Sequence, residues 1–164
     1  LRDVHRFLEH ALLLNTYTLK LADCLRKSGK CSQALDLYKK IDEYYIFDPD
    51  VKFRIGDIFL IQANNEKDEE KRKAIAEEAK LEFRLIKKFT LKNTKQGKID
   101  YYDAVFKIAE CYETAGDLTG AKRFLVSVDV YGSVQYPSEA YEKRMKAEIQ
   151  ELTNKIGMVA GKNQ

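Results

Sequence analysis

The side chains best suited to nucleophilic or metal chemistry are His5, His10, Cys24, Cys31 and Cys111, and their spacing argues against either use. On a helix His5 and His10 point to different faces, and no cysteine or carboxylate stands at metal-ligand spacing to complete a site with them. Surface or packed histidines are expected. Cys31 falls near a predicted helix start, where a thiol's pKa can drop, but no base accompanies it. The sequence has no phosphate loop, glycine-rich nucleotide fingerprint or nucleophile motif. The expectation is no catalysis, no cofactor and no bound metal.

Cys24 and Cys111 carry a different message, because they stand at the same place in a stretch that occurs twice. The first copy has Leu21, Ala22, Asp23, Cys24 and Leu25, then Gly29, Ala34, Leu35 and Tyr38. The second has Ile108, Ala109, Glu110, Cys111 and Tyr112, then Gly116, Ala121 and Leu125, in register with the first. Self-similarity of this kind signals stacked supersecondary units. At the cysteine position a helix wants a small apolar residue, so packing accounts for both thiols. The carboxylates beside them, Asp23 and Glu110, are the sharper candidates for function.

Composition limits what can position these residues. A chain of 164 residues is enough for one domain burying roughly two thirds of its unfolded surface. Two prolines, eight glycines and 34% charged residues, without long β-branched runs, favour an all-α protein. The net charge of +3 comes from interspersed 29 basic and 26 acidic residues, which makes a solvated surface and gives nucleic-acid binding no support by itself. No apolar run approaches a membrane span or a signal peptide. Three cysteines, an odd and scattered set, read as reduced thiols in a cytoplasmic or nuclear setting. The first residues are already helix-patterned, so the chain reads as a fragment of a longer protein.

Apolar residues at three- and four-residue steps from Val4 to Ser28 predict helix, with a break near Asn15 and Thr16. Gly29 ends that run and Ser32 can cap the next helix, which faces Ala34, Leu35, Leu37, Tyr38 and Ile41 inward. Asp48 and Pro49 open a third helix. The run Asn64 to Arg72 has no apolar face and reads as solvated loop or overhanging helix end. Periodicity resumes with Ala76, Ala79, Phe83 and Ile86. Lys87 to Lys98, rich in lysine and breakers, reads as a basic exposed connector, after which Asp100 and Asp117 each cap a helix. Pro137 and Ser138 open a last helix. The expected organisation is one helical-repeat domain with pairs at about 15–45, 49–89 and 100–130 and a capping helix at about 137–156.

The order of small residue, aromatic or leucine, glycine, then alanine and aromatic resembles the tetratricopeptide repeat family, whose units are antiparallel helix pairs of 34 residues. The resemblance covers about three degenerate units. Leu21, Ala22, Leu25, Gly29, Ala34, Tyr38 and Ile41 fill the first. Ile55, Gly56, Phe59, Ala79, Phe83 and Ile86 fill the second, with roughly eleven extra residues between its helices. Ile108, Ala109, Tyr112, Gly116, Ala121, Leu125 and Val128 fill the third. The family's early tryptophan is replaced by Thr18, Lys52 and Val105, and its closing proline arrives late, at Pro49 and Pro137.

The resemblance implies an α-solenoid whose first helices line a concave groove that receives a partner peptide or helix. It places Leu19, Asp23 and Arg26, then Phe53, Asp57 and Leu60, then Phe106, Glu110 and Glu113 on the floor. Equivalent carboxylates Asp23, Asp57 and Glu110 favour a partner segment with basic and hydrophobic residues. The family's clamp of Lys, Arg and Asn for a C-terminal carboxylate is missing, which disfavours heat-shock chaperone binding. The alternative is a nucleic-acid-associated assembly subunit that contacts phosphate through Lys87, Lys88, Lys92, Lys95 and Lys98. The pairs Tyr44–Tyr45 and Tyr101–Tyr102 read as packing between helix pairs.

Overall fold

In the computed structural model residues 2–44 and 47–162 are described, the side chains from residue 13 onward except those of Tyr44 and Lys162. His5, His10 and Tyr45, named above as candidates, lie outside the described side chains. Among the described residues there are seven helices and no strand: α1 (Arg2–Lys27), α2 (Cys31–Tyr44), α3 (Pro49–Asn65), α4 (Glu69–Phe89), α5 (Lys95–Thr114), α6 (Leu118–Tyr131) and α7 (Glu139–Lys162). Consecutive helices pack as neighbours, and α3 also touches α5. The result is an all-α stack of helix pairs with α7 laid against α6.

Local chemistry fixes the turns. In the first pair Gly29 adopts φ +79°, and in the third Gly116 adopts φ +83°. This left-handed conformation lets Lys30 N donate to Leu25 O at 2.9 Å, and Asp117 N to Tyr112 O at 2.8 Å. Both are the six-to-one closure of a helix C-terminus. Helix starts are capped by side chains. Asp48 accepts from Asp50 N at 2.9 Å ahead of Pro49, and Asp117 accepts from Gly120 N at 2.7 Å.

Within each pair the helices approach through small residues. Ala22 and Ala34, Gly56 and Ala79, and Ala109 and Ala121 are all buried. At Gly56 the approach is closest, since a Cβ there would stand 2.6 Å from the Phe83 ring. Large side chains fill the gaps between pairs, with Tyr38, Phe83, Ile55 and Ile108 buried in one cluster and Tyr102, Leu125 and Met145 in the next.

The structure corrects several expectations. Helix α1 runs unbroken through Asn15 and Thr16. Thr18 Oγ1, one turn on, donates back to Leu14 O at 2.8 Å, so its hydroxyl is satisfied inside the helix. Of the two readings of the run 64–72, overhanging helix end holds for most of it, because Asp68 caps α4 and Lys73 pairs with Glu69 and Glu70 on a solvated face. The basic connector shrinks to Thr90–Thr94. Lys87 and Lys88 sit in the last turn of α4, where cations suit the helix C-terminus, and Thr94 rather than Asp100 caps α5, accepting from Gly97 N at 3.0 Å. Helix α2 opens at Cys31, ahead of Ser32, and α7 continues to Lys162. Cys24 is exposed whereas Cys111 is buried, although they share a repeat position. The reason is that α4 covers α5 on that side, while no helix among the described residues covers the Cys24 side of α1, whose other side packs on α2.

Candidate functional site

The first helices α1, α3 and α5 bring the expected groove residues into three equivalent rows, and the structure shows what holds each. Leu19 and Phe53 are half-buried against the core, while Phe106 is buried under α7, the Arg144 guanidinium lying 3.9 Å from its ring centre. Leu60 is buried and serves the core. Arg26 is half-buried, and its Nε is buried without a hydrogen-bond partner. Glu113 accepts from Lys155 Nζ of α7 at 2.8 Å.

The three carboxylates do not form a bare acidic stripe. Asp23 accepts from Arg54 Nε at 2.8 Å and from the hydroxyl of buried Tyr38. Asp57 Oδ1 stands 3.0 Å from Lys107 Nζ, and the same ammonium lies 3.0 Å from Glu110 Oε2. For Asp23 and Asp57 the cation comes from the following unit, so Arg54 ties α3 to α1 and Lys107 ties α5 to α3. Burial works against the charge on Asp23, yet the hydrogen bonds from Tyr38 and Arg54 outweigh it and hold the carboxyl below its ordinary value. Burial likewise opposes the Lys107 ammonium, and Asp57 with Glu110 overcomes it and raises the pKa. Tyr38 is pushed up to about 12, by burial first and then by its bond to Asp23.

Two open cavities flank this centre. One of about 250 Å³ is lined by Phe53, Asp57, Asp103, Lys107, Glu110 and Arg144. The other, about 240 Å³, is lined by Arg26, Asp57, Leu60, Ile61, Asn64, Lys107 and Glu110. They share Asp57, Lys107 and Glu110 as a common wall and so lie side by side on the first-helix face. Its chemistry is apolar at Phe53 and Ile61 and charged with both signs between them. Asp103 is engaged by a neutral donor, Tyr141 Oη at 3.0 Å.

Arg54, Lys107, Asp103, Arg144 and Lys155 were not singled out by the sequence. A signal for two of them was there, because Lys20, Arg54 and Lys107 recur one residue after Leu19, Phe53 and Phe106. The contributions of α7 had no such signal, since that helix lacks the repeat pattern.

The lysines of the former connector lie elsewhere. Lys87 Nζ is 5.6 Å from the Tyr101 ring centre and 5.5 Å from that of Phe124, and Lys92 Nζ is 5.4 Å from Tyr101. Burial first, then Lys92 and Arg84, lowers the Lys87 pKa. Lys88 lies 5.1 Å from the Phe89 ring centre. Lys95 is exposed and Lys98 half-buried in the first turn of α5. Tyr101 and Tyr102 are buried and meet edge to face at 5.1 Å, packing as expected of such a pair. Among the described residues no group of His, Cys, Asp and Glu is placed to hold a metal ion, and no helix is long and apolar enough to cross a membrane.

Residues 103–128 match the family model of the tetratricopeptide repeat. The fold is similar to the crystal structure of PcrH from Pseudomonas aeruginosa, with a TM-score of 0.58 and 17% identity, covering 85% of this chain and 92% of that one. It is also similar to the crystal structure of PcrH in complex with the chaperone binding region of PopD, with a TM-score of 0.54 and 18% identity over 90% of this chain and 94% of that one. No curated protein matches the sequence. Residues 103–128 of the third helix pair thus resemble a tetratricopeptide repeat, and the chain as a whole takes an all-α helical-repeat fold.

Proposed function

We propose that this chain is a protein–protein interaction module that seats a segment of another protein in the cleft formed by α1, α3, α5 and α7. The observation that carries the reading is a pair of open cavities on the first-helix face, of about 250 and 240 Å³, that share Asp57, Lys107 and Glu110 in their linings. The similarity to PcrH, whose structure has been solved with the chaperone binding region of PopD, supports a polypeptide occupant. A role of this kind needs a binding surface and no catalytic group.

The partner segment brings an apolar anchor to Phe53 and a cation beside it. Around the larger cavity Asp57, Asp103 and Glu110 face Lys107 and Arg144, leaving an excess of carboxylate that a Lys or Arg of the partner offsets. Asp23 is occupied by Arg54 and Tyr38 and contributes to holding the groove together more than to reading the partner.

Selection of binders from a displayed random-peptide library tests this directly. Peptides with basic and apolar residues are expected, losing about tenfold in affinity, roughly 1.4 kcal/mol, on Glu110→Lys or Asp103→Lys. Glu110 is a suitable site because its side chain is 47% exposed and Lys107 keeps Asp57 when it is changed. Leu81→Ala on the exposed face of α4 should leave binding unchanged. Binders indifferent to the groove changes in a folded variant would remove the assignment.

A further inference from the structure

The two ends of the solenoid are finished differently. At one end, α7 turns Met145 and Leu152 inward and presents Lys143, Lys146, Gln150 and Asn154 outward, the polar face that lets a repeat stack stop. At the other end, α1 presents Leu14, Tyr17 and Leu21, which are 68%, 66% and 54% exposed, together with exposed Cys24.

The register of the repeats says what such a face is built for. Tyr17, Leu21 and Cys24 correspond to Val51, Ile55 and Ile58 of α3 and to Ala104, Ile108 and Cys111 of α5, and all six of those are at most 1% exposed. They are covered because α2 packs on α3 and α4 on α5. The charges repeat the same logic. Arg54 and Lys107 reach back to Asp23 and Asp57 of the preceding unit, and Lys20 holds their position on α1, exposed, with no carboxylate in an ion pair among the described residues.

We infer that the outer face of α1 is a docking surface for one more helix pair of the same repeat type. Its second helix lies on Tyr17, Leu21 and Cys24 as α2 lies on α3, and its first helix brings a carboxylate to Lys20. Neither the groove nor its ligand is needed for this.

Extending the chain by a probe of known stacking geometry tests the inference. A second copy of residues 49–98, which carries its own cap and closing turn at Thr94 and Gly97, is fused ahead of Leu12 so that the copied Lys98 stands where Ala11 was. Alkylation of each cysteine is followed by mass spectrometry. Cys24 is expected to react about tenfold or more slowly than in the unextended chain, because labelling then requires local opening, while Cys31 keeps its rate within about twofold. Tyr17→Asp in the extended chain restores Cys24 labelling, and Asp57→Lys within the added copy restores part of it. Unchanged Cys24 labelling overturns the inference, whether the added pair is folded or is cleared by protease, since the face would then have failed to supply its packing.

Discussion

Replacing Gly56 by alanine sets helix propensity against packing, and the structure decides the sign. In an open helix the change would stabilise by about 1 kcal/mol, because glycine is the poorer helix former. Here the new Cβ would stand 2.6 Å from Cζ and 2.7 Å from Cε1 of Phe83. Restoring ordinary carbon contact requires a shift of roughly 1 Å. Phe83 cannot give that freely, being fully buried and set against Phe53 at 6.0 Å between ring centres. Overpacking of this kind costs about 1–3 kcal/mol, so the net effect is a loss of about 1 kcal/mol, roughly 2–4 °C in melting temperature. Urea unfolding followed by far-UV circular dichroism measures it. The double variant Gly56→Ala, Phe83→Leu should be more stable than the sum of the single changes predicts, by about 1 kcal/mol, since the smaller side chain releases the clash. A Gly56→Ala protein more stable than the parent by the full propensity value would refute the close approach of α3 and α4.

Asp23→Ala should destabilise by about 1–3 kcal/mol, because the Tyr38 hydroxyl loses its acceptor and Arg54 its partner, and chemical denaturation would show it. Since the folded carboxyl lies below its ordinary 3.8, its stabilisation is present above that pH and is lost as pH falls through the folded value. The stability gap between parent and Asp23→Asn should therefore narrow below pH 3.8 and be constant above pH 5 or so. Burial pushes the Cys111 thiol up to about 12, so at neutral pH it should resist alkylation in the native protein while exposed Cys24 reacts, as site-resolved mass spectrometry would record.

Much of the fold was legible because local signals agreed with one another. Gly29 and Gly116 mark turns that the structure builds identically, and Asp48 and Asp117 cap the helices they precede. What failed depended on context. Asn15 and Thr16 are plausible helix starts in isolation, but α1 runs unbroken through them. The lysines after Ile86 look like a loop until the helix C-terminus that favours them is in place. Cys24 was read as buried from its match to Cys111, yet burial at that position comes from a neighbouring pair that periodicity within one helix does not report. The site was half legible for a similar reason. The repeat register located Asp23, Asp57 and Glu110, but Arg54 and Lys107, the partners of the first two, come from the next unit in the stack, and Lys107 also pairs with Glu110 on its own helix. A contact across units is visible only when the register is read for cations as well as for carboxylates.

The central claim is that a partner lies along the first-helix face, and nuclear magnetic resonance with a library-selected peptide tests it most directly. On titration, the largest side-chain shift changes should fall on Phe53, Lys107 and Arg144, which line the larger cavity, and on Ile61 across the shared wall. Changes confined to the outer faces of α2, α4 and α6, with Phe53 and Lys107 unmoved, would contradict it.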